Sequence, residues 1–472
     1  MRASVELVGR ARVVSAILAA ALACAASASA ASGWTEVTVD ASDTTPLACA
    51  YVIPSGTAPA GGWPGVILFH GLGQSHVDME PYGSLLAQNG FAALACDARG
   101  TGSSGGKFGL DGPSDVQDAQ DLFDWFTARS DVSDTDIGAF GLSLGGGEVW
   151  NAAVAGVPFR AIVPAITWTS LGPALNPNGV PKTGLLSILF QTPPLSDWDP
   201  TLAQTAQSLL QGNVTAAVKG SEAARSSRPQ LHSLHVPTLL LQGRHDFLFD
   251  MDQALAAYKL LGGPKRLYLG DLGHPPARNP AAEQPTYLGE ALNWFREYLA
   301  GGPKVGGGVE LAHDPWDGRT TSYEKPPQTR AATVNLPGKS FIKGPHYGFR
   351  SARLTGGPHE TFGDGAVTVR YVGATNYTHL VATVSIKGGN TIVTEGAAPI
   401  RSQSGVVKIA LMNESVLLPR GRKLVVRLGA TSWDDAYGVG IPVYASLPPQ
   451  GASITIGSAT LKLSFLKRAV SK

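Results

Sequence analysis

The pattern of hydrophobic positions over residues 34–300 alternates short apolar runs with longer segments of helical spacing. The short runs predict strands at Thr35–Asp40, Leu47–Ile53, Val66–His70, Ala92–Asp97, Ile137–Leu142, Ala161–Ala165, Thr238–Gly243 and Arg266–Leu269. Because no crossover helix fits between the first two, we expect those strands to be antiparallel. The later runs are apolar throughout, which is typical of parallel strands covered on both faces. The predicted fold class is therefore α/β, with a mostly parallel sheet of eight strands.

Helical spacing fills most of the intervals between these strands. In Ser114–Ala128 an apolar stripe lies opposite a row of aspartates, and Ser114 is a suitable N-cap. Leu255–Leu261 and Tyr287–Leu299 show the same spacing. The interval at about 167–236 is too long for one crossover and is rich in Leu, Pro and Trp. We interpret it as an inserted helical lid; the alternative is a set of extra surface helices with no role at a site.

The pattern changes after Gly301-Gly302-Pro303, where short alternating runs separated by turn residues replace helical spacing. This is typical of a β-sandwich. The runs are Val367–Val372, Leu380–Ile386, Val406–Leu411 and Leu424–Leu428. We therefore divide the chain after residue 30 into an α/β domain at 31–302, a linker at 303–330 and a C-terminal β-sandwich at 331–472.

The first thirty residues predict an export signal. Three arginines precede the apolar run Val13–Ala23, which is too short to span a bilayer, and Ala28-Ser29-Ala30 is a small-residue cleavage site. We place cleavage after Ala30. Lipid attachment at Cys24 is the second choice, because Ala21 is a poor residue three places before the cysteine. No later segment has eighteen consecutive apolar residues, so we expect an exported protein with no membrane span.

Composition narrows the classes of function. Charged residues make up 15% of the chain and the formal net charge is +1, which does not fit the basic surface needed for nucleic-acid binding. The glycine-rich segment Asp97–Gly105 lacks the spacing of a nucleotide-binding loop. The histidines do not fall at metal-ligand spacing. We expect no nucleic acid, no metal and no cofactor.

The candidate nucleophile is Ser143, at the centre of the pentad Gly141–Gly145. A predicted strand leads into the pentad and a helical stretch follows it from near Gly146. A strand, sharp turn and helix hold a serine hydroxyl clear of the edge of a sheet. The pentad therefore predicts nucleophilic catalysis.

Two later residues supply the base and the acid that such a serine needs. Asp246 follows the strand Thr238–Gly243 and His274 follows the strand Arg266–Leu269, so both lie at the carboxyl edge of the sheet. Their order after Ser143 is serine, acid, histidine, as on other sheets of this kind. We predict that His274 is the general base and that Asp246 orients it. The rivals that fit less well are His232, His235, His245, Asp250, Asp252 and Asp271.

The tetrahedral intermediate of acyl transfer needs donors for its oxyanion. The N–H of Leu144, directly after the nucleophile, is one candidate, since it lies at a helix N-terminus. The N–H of Leu72 is the other, in the glycine-flanked loop His70-Gly71-Leu72-Gly73. We take His70 to be structural.

These residues resemble the α/β-hydrolase superfamily and, within it, the X-Pro dipeptidyl-peptidase-like group (peptidase S15, including cocaine-esterase-like acylases). The resemblance is carried by His70–Gly73, by Asp97–Gly105 together with the acidic helix that contains Asp118 and Trp125, and by Gly141–Gly145, Asp246 and His274. In the C-terminal part it is carried by Thr383–Gly396 and Leu418–Leu424. It implies a serine hydrolase that cleaves ester or amide bonds, including X-Pro peptide bonds, in a small-molecule or peptide substrate through an acyl-enzyme. It also implies a jelly-roll-like C-terminal β domain.

Two departures from this group concern substrate chemistry. The group often has tyrosine after the serine and near the first oxyanion loop, where this chain has Leu144 and Leu72, so the oxyanion donors must be backbone N–H groups. Cleavage after X-Pro also requires an acidic anchor for the substrate amine. The weak candidates in the insertion are Asp197, Asp199 and Glu222.

Cys49 and Cys96 both lie in predicted strands, and on their own they fit two buried thiols. In α/β hydrolases the second and fourth strands are neighbours, so the resemblance also allows a cross-strand disulfide. Both readings stay open at this point.

We expect the lid to form an apolar acyl pocket, with Trp168 and Trp198 as walls. One alternative is a carboxylesterase or lipase-like enzyme without peptidase activity. Another is a surface- or glycan-binding protein with a vestigial hydrolase domain, for which Trp316 and Trp433 are the candidate contacts. The sequence leaves the substrate and the oligomeric state open.

Overall fold

The computed structural model describes residues 33–388, 391–433 and 442–468, so the predicted export signal lies outside the described residues. The strands are β1 (Thr35–Asp40), β2 (Pro46–Val52), β3 (Trp63–Phe69), β4 (Ala92–Cys96), β5 (Val132–Leu142), β6 (Ala161–Ala165), β7 (Thr238–Gly243), β8 (Lys265–Gly270), β9 (Gly308–Ala312), β10 (Thr320–Tyr323), β11 (Thr329–Leu336), β12 (Ser340–Lys343), β13 (Gly348–Arg353), β14 (His359–Glu360), β15 (Gly365–Thr375), β16 (His379–Ile386), β17 (Ile392–Pro399), β18 (Gly405–Leu411), β19 (Leu417–Leu418), β20 (Lys423–Gly429) and β21 (Ser453–Leu466). The α-helices are α1 (His76–Gln88), α2 (Pro113–Thr127), α3 (Leu144–Ala155), α4 (Leu171–Leu175), α5 (Thr183–Leu189), α6 (Pro200–Leu210), α7 (Ala216–Ala223), α8 (Met251–Leu260) and α9 (Gln284–Ala300).

The largest sheet has ten strands in the order β1-β2-β4-β3-β5-β6-β7-β8-β9-β10. The pairs β1/β2, β2/β4 and β9/β10 are antiparallel, and every pair from β4 to β9 is parallel. The predicted mixed α/β sheet is confirmed, but it is two strands wider than predicted. Strands β9 and β10 lie within the segment 303–330 that we predicted to be a linker, and that prediction is wrong. Strand β9 contains the charged residue Glu310, and β10 is polar except for Tyr323. Neither forms the continuous apolar run from which the other strands of this sheet were predicted.

Helices cover both faces of this sheet, which explains why its central strands are apolar throughout. On one face α2, α3 and α8 pack through side chains such as Phe126, Val149 and Met251. On the other face α1 and α9 pack through Met79 and Trp294. The carboxyl ends of β3, β5, β7 and β8 therefore meet at one open edge.

The N-cap of helix α2 lies two residues before the predicted N-cap, Ser114, which instead lies within the first turn of the helix. Gly112 is the N-cap and Pro113 is the first helical residue. A proline fits this position because the first N–H of a helix has no partner within it. The carboxylate of Asp115 accepts the Gly112 N–H at 3.0 Å and completes the cap.

Between β6 and β7 the chain forms four short helices, α4–α7, and we call residues 166–237 the helical insertion. Its apolar side chains form one cluster with Leu144 and Phe249 of the α/β domain and with Val381 and Tyr444 of the C-terminal part. The insertion therefore contacts both other parts of the chain.

The C-terminal part is a β-sandwich, as predicted. One sheet has the order β11-β21-β15-β18, with β12 also paired to β21, and the other has the order β13-β20-β16-β17. Alternate side chains of the two sheets form a separate core, which includes Val367, Val369, Leu380, Val384 and Leu428. Across the described residues, no helix has the length and apolar character that a membrane span requires.

The two cysteines of the α/β domain form a disulfide. Cys49 of β2 lies directly opposite Cys96 of β4 in the antiparallel register, so both side chains project from the same face. The reading as two free thiols is therefore wrong. The pairing follows from the order of strands in the sheet, because the two residues are 47 positions apart in the chain.

Replacing both cysteines (Cys49→Ser with Cys96→Ser) should lower the free energy of unfolding by about 3 kcal/mol, since a disulfide restricts the unfolded chain. Denaturant titration measures this loss. Dithiothreitol should lower the midpoint of the unmodified protein and leave that of the double variant unchanged. The prediction would be contradicted if dithiothreitol left the denaturation midpoint of the unmodified protein unchanged and that midpoint equalled the midpoint of the double variant.

Candidate active site

Ser143 occupies the sharp turn between β5 and α3. Its φ of 55° and ψ of −111° place it in a conformation that costs a non-glycine residue about 1–3 kcal/mol. The turn is held by hydrogen bonds: the Ser143 N–H donates to the Ala165 carbonyl at 2.9 Å, and the Thr167 hydroxyl donates to the Ser143 carbonyl at 2.7 Å. The strand, turn and helix predicted around the pentad are present.

The two outer glycines of the pentad are required by close backbone packing. A Cβ on Gly141 would lie 2.1 Å from the carbonyl oxygen of Gly145. A Cβ on Gly145 would lie 2.1 Å from the carbonyl oxygen of Phe69. The first turn of α3 therefore packs against β3 at a distance that only glycine permits.

The structure brings Ser143, Asp246 and His274 together. Ser143 Oγ lies 2.9 Å from His274 Nε2, and His274 Nδ1 lies 2.9 Å from Asp246 Oδ2. The Asp246 carboxylate also accepts the backbone N–H groups of His274, Leu248 and Phe249 at 2.9 to 3.0 Å. An Nδ1–H that donates to this carboxylate leaves Nε2 free to accept the serine proton. Asp246 is fully buried, whereas 9% of Ser143 is exposed.

The rival residues lie elsewhere or have other partners. His232 and His235 precede β7, at the opposite end of that strand from the three residues. His245 is partly buried, and desolvation lowers its pKa to about 4. Asp271 forms an ion pair with Arg278. The partner of Ser143 Oγ is His274 and not one of these residues.

His70 fixes the loop that carries the first predicted oxyanion donor. Its Nε2 accepts the Ala98 N–H at 2.9 Å, so Nδ1 carries the proton and donates to the Gly71 carbonyl at 2.8 Å. Burial lowers the pKa of His70, which keeps the ring neutral. The Gly71 carbonyl and the Leu72 N–H belong to one planar trans peptide and point in opposite directions. His70 therefore sets the direction of the Leu72 N–H.

Leu144 is the first residue of α3, where N–H groups lack an acceptor within the helix and the helix dipole favours negative charge. The side chains of Leu72 and Leu144 belong to the same apolar cluster. Leu72 lies in the loop after β3, and Leu144 begins α3 directly after β5 and Ser143, so both predicted donors follow the carboxyl ends of parallel strands.

The two predicted pocket walls differ in their relation to His274. The ring of Phe249 packs edge-on against His274, with centroids 5.2 Å apart, and Trp168 packs against Phe249 at the same centroid distance. Trp198 instead packs between Phe108 and Phe190. Trp168 is therefore one ring removed from His274, and Trp198 belongs to the interior of the insertion.

Four buried carboxylic acids lie beside the first turns of α3, and the sequence analysis did not single out any of them as part of a site. Asp111, Asp115, Asp118 and Glu148 line a cavity of about 40 Å³ together with Leu144 and Gly145. A signal was present in the sequence, because Glu148 is the one charged residue of a helix that is otherwise apolar except for Asn151. Within the described ranges, no three His, Cys, Asp or Glu side chains are arranged to hold a metal ion.

Burial dominates the electrostatics of this cluster. It raises the pKa of Asp111 and Glu148 well above the ordinary range and that of Asp115 to about 7, and the neighbouring carboxylates add to the effect. Asp111 and Glu148 lie close enough to act on each other's pKa. Neither carboxylate oxygen of Glu148 has a hydrogen-bond partner among the described residues. Asp118 differs because Arg99 forms an ion pair with it.

The sheet, the sharp turn at Ser143 and the order of the three polar residues define an α/β hydrolase. The family model of the X-Pro dipeptidyl-peptidases (S15 family) matches residues 25–275, and the chain belongs to this family. This confirms the resemblance found in the sequence.

Solved structures with the same fold cover nearly the whole chain. A CocE/NonD family hydrolase from Staphylococcus aureus aligns with a TM-score of 0.71 and 14% identity, over 91% of this chain and 93% of that protein. An α-amino acid ester hydrolase aligns with a TM-score of 0.67 and 15% identity, over 93% of this chain and 98% of that protein. At these identities the likeness shows the fold, including the C-terminal β domain.

A curated relative is an uncharacterized 31.7 kDa protein from the traX-finO intergenic region of Escherichia coli. The two are 30% identical over 119 residues, which is 25% of this chain. The chain matches 41% of the length of that relative.

Glu148→Gln should change how stability depends on pH. Between the ordinary pKa of a glutamate and the raised pKa in the fold, the folded chain binds more protons than the unfolded chain, so stability falls as the pH rises. Glutamine has no proton to lose, and we expect the variant to show a shallower fall, by up to about 1.4 kcal/mol per pH unit.

Denaturant unfolding between about pH 5 and about pH 8 measures these slopes. Asp134→Asn, which removes an exposed carboxylate, is the matched control and should keep the original slope. A Glu148→Gln slope equal to that of the control would show that Glu148 does not titrate as inferred.

Proposed function

We propose that this protein is an exported serine hydrolase of ester or amide bonds, with Ser143 as nucleophile, His274 as general base and acid, and Asp246 as the group that orients His274. The observation that carries the proposal is the continuous pair of hydrogen bonds from Ser143 Oγ to His274 and from His274 to Asp246, both 2.9 Å long. A complete arrangement of this kind favours an active enzyme over a vestigial domain that only binds a surface or glycan.

In the proposed reaction Ser143 Oγ attacks the carbonyl carbon while its proton passes to His274 Nε2. The backbone N–H groups of Leu72 and Leu144 stabilise the oxyanion, and the hydrogen bond from His70 to Gly71 keeps the first of these directed at the site. The intermediate collapses as the leaving alcohol or amine takes the proton from His274. Water, deprotonated by His274, then attacks the acyl-enzyme and releases the acid and Ser143.

We propose an uncharged, apolar acyl group as the preferred substrate portion. The insertion contributes an apolar cluster that includes Leu144, and Phe249 and Trp168 extend it towards His274. Of the weak amine anchors, Asp199 caps α6 and Glu222 is buried against Asn176. Both are therefore engaged in holding the insertion together.

Asp197 is the remaining candidate anchor, and it supports X-Pro dipeptide release as the second candidate function. It is exposed and lines an open groove of about 530 Å³ together with Gly73, which adjoins Leu72 in the first oxyanion loop. Lys107 lines the same groove and offsets its charge. Membership of the X-Pro dipeptidyl-peptidase family also favours this second candidate.

Export is supported by two features. The first thirty residues have the pattern of a cleavable signal, and the α/β domain contains the disulfide between Cys49 and Cys96. Stable disulfides form mainly in oxidising compartments outside the cytoplasm.

A fluorophosphonate probe should label the protein covalently at Ser143. Ser143→Ala should abolish labelling and lower kcat for a p-nitrophenyl ester by at least about 10³-fold, because the nucleophile is lost. Thr167→Val, which keeps the serine but removes the hydrogen bond to its carbonyl, is a control that should still be labelled. Labelling that persists in Ser143→Ala would reject Ser143 as the nucleophile.

A substrate panel separates the two candidate functions. We expect p-nitrophenyl esters of apolar acids to be cleaved with a kcat/KM at least about tenfold above that for Ala-Pro or Gly-Pro nitroanilides, since contact with the apolar side chains of Leu144, Phe249 and Trp168 would favour an apolar acyl group by about that factor. Asp197→Asn should leave ester hydrolysis unchanged. Preferred cleavage of the nitroanilides, with a raised KM in Asp197→Asn, would establish the X-Pro function instead.

A further inference from the structure

The loop that carries Asp246 is held by residues from the distant C-terminal sandwich. We call residues 244–250, between β7 and α8, the acid loop, and residues 413–415, between β18 and β19, the sandwich clamp. The two segments are more than 160 positions apart in the chain. Their contact is therefore a product of the tertiary structure alone.

All three clamp residues bond to the acid loop or to the residue that follows it, and the two segments run in opposite directions. Ser415 N–H donates to the Arg244 carbonyl at 2.7 Å, and the Arg244 guanidinium donates back to the Ser415 carbonyl and hydroxyl. At the other end the Asn413 N–H donates to Asp250 Oδ2 at 2.9 Å, and the Met251 N–H donates to the Asn413 carbonyl at 3.1 Å.

The central contact is made by Glu414 to Asp246 itself. Glu414 Oε2 accepts the backbone N–H of Asp246 at 3.1 Å, and only 1% of Glu414 is exposed. The carboxylate of Asp246 accepts a hydrogen bond from His274 Nδ1. The glutamate thus holds the backbone from which the carboxylate reaches His274.

A buried cation from the helical insertion supports the acid loop from a second direction. The Lys182 ammonium donates to the carbonyls of Phe247 and Leu248 at 2.8 and 3.1 Å. Lys182 is 2% exposed, and the acidic groups that act on it are Asp246, Asp250, Glu395 and Glu414. Its charge offsets part of the negative charge that these acids place in the interior.

We propose that Glu414 is a positioning residue for the reaction, which fixes Asp246 against His274 from the C-terminal sandwich; this inference rests on the proposed function. A displacement of about 1 Å in such a group lowers the rate by up to about 10²-fold. The sandwich then contributes to the reaction through the position of Asp246.

Two conservative variants of Glu414 test whether the length of its side chain or its acidic group is needed to hold Asp246. Glu414→Gln keeps the length of the side chain and an oxygen acceptor, and it mimics the neutral acid, because burial and the nearby Asp250 and Asp246 raise the pKa of Glu414. Glu414→Asp keeps the acidic group but is one methylene shorter and cannot reach the Asp246 N–H. Glu414→Leu fills a similar volume without a hydrogen-bond acceptor. It tests the need for the acceptor even if the aspartate variant does not fold.

We expect Glu414→Asp and Glu414→Leu to lower kcat for a p-nitrophenyl ester by about tenfold or more with KM nearly unchanged, whereas Glu414→Gln stays within about threefold of the unmodified enzyme. Val369→Ala, in the sandwich core, lowers stability without touching the acid loop and should keep kcat. Thermal unfolding of each variant shows whether the folded state is being compared.

The inference is overturned if Glu414→Asp and Glu414→Leu keep kcat, if glutamine is impaired while aspartate is not, or if Val369→Ala loses as much kcat as they do. Asp246→Asn, measured in parallel, tests the proposed function. If Asp246→Asn keeps full activity, the proposed role of Asp246 in orienting His274 is wrong. If it loses activity and the Glu414 variants do not, only the positioning role fails.

Discussion

At Ser143 the chain leaves β5 and enters α3 with a positive φ, and the glycines on either side leave no space for a side chain. The contact of Gly145 with the backbone of Phe69 sets the distance between α3 and β3. Because the first turn of α3 is fixed in this way, the Leu144 N–H and the serine hydroxyl have defined positions at the edge of the sheet. The other parts of the site are arranged around this turn.

The opposite half of the site depends on contacts between parts of the chain that are far apart in sequence. Asp246 follows β7, but its loop is bonded to Lys182 of the insertion and to Glu414 of the sandwich. The fully buried Arg244 extends this junction by pairing with Glu360 of the sandwich. The insertion and the sandwich therefore meet the α/β domain at the loop that orients His274.

Buried ionisable side chains lie both at the start of α3 and around the acid loop. Burial raises the pKa values of Asp111, Asp115 and Glu148 at the first turns of α3. The raised values favour the neutral, protonated acids, which are less costly to bury than carboxylates. In the acid loop, backbone N–H groups donate to the Asp246 carboxylate, and the buried Lys182 ammonium donates to two backbone carbonyls. The carboxylate oxygens of Glu148, by contrast, have no hydrogen-bond partner among the described residues.

The sequence by itself predicted the central strands of the sheet, the sharp turn at Ser143 and the order of Asp246 and His274 after it. Apolar runs mark strands because both faces of the sheet are covered, and the pentad marks Ser143 because the close approach of α3 requires glycine. The proximity of Asp246 and His274 followed because the parallel strands β7 and β8 end at the same edge of the sheet. Polar strands such as β10 were missed, because the strands of this sheet were predicted from apolar runs.

Only the tertiary structure decided the contacts that join distant segments. The disulfide between Cys49 and Cys96 depends on which strands are neighbours, and the choice between a thiol pair and a crosslink could not be made from spacing. The buried Glu148 left a trace in the sequence, as a charge on an apolar helix. The contact between Glu414 and Asp246 left no trace in the sequence. A glutamate in a loop of the sandwich is ordinary, and only the packing of the two domains places it against the acid loop.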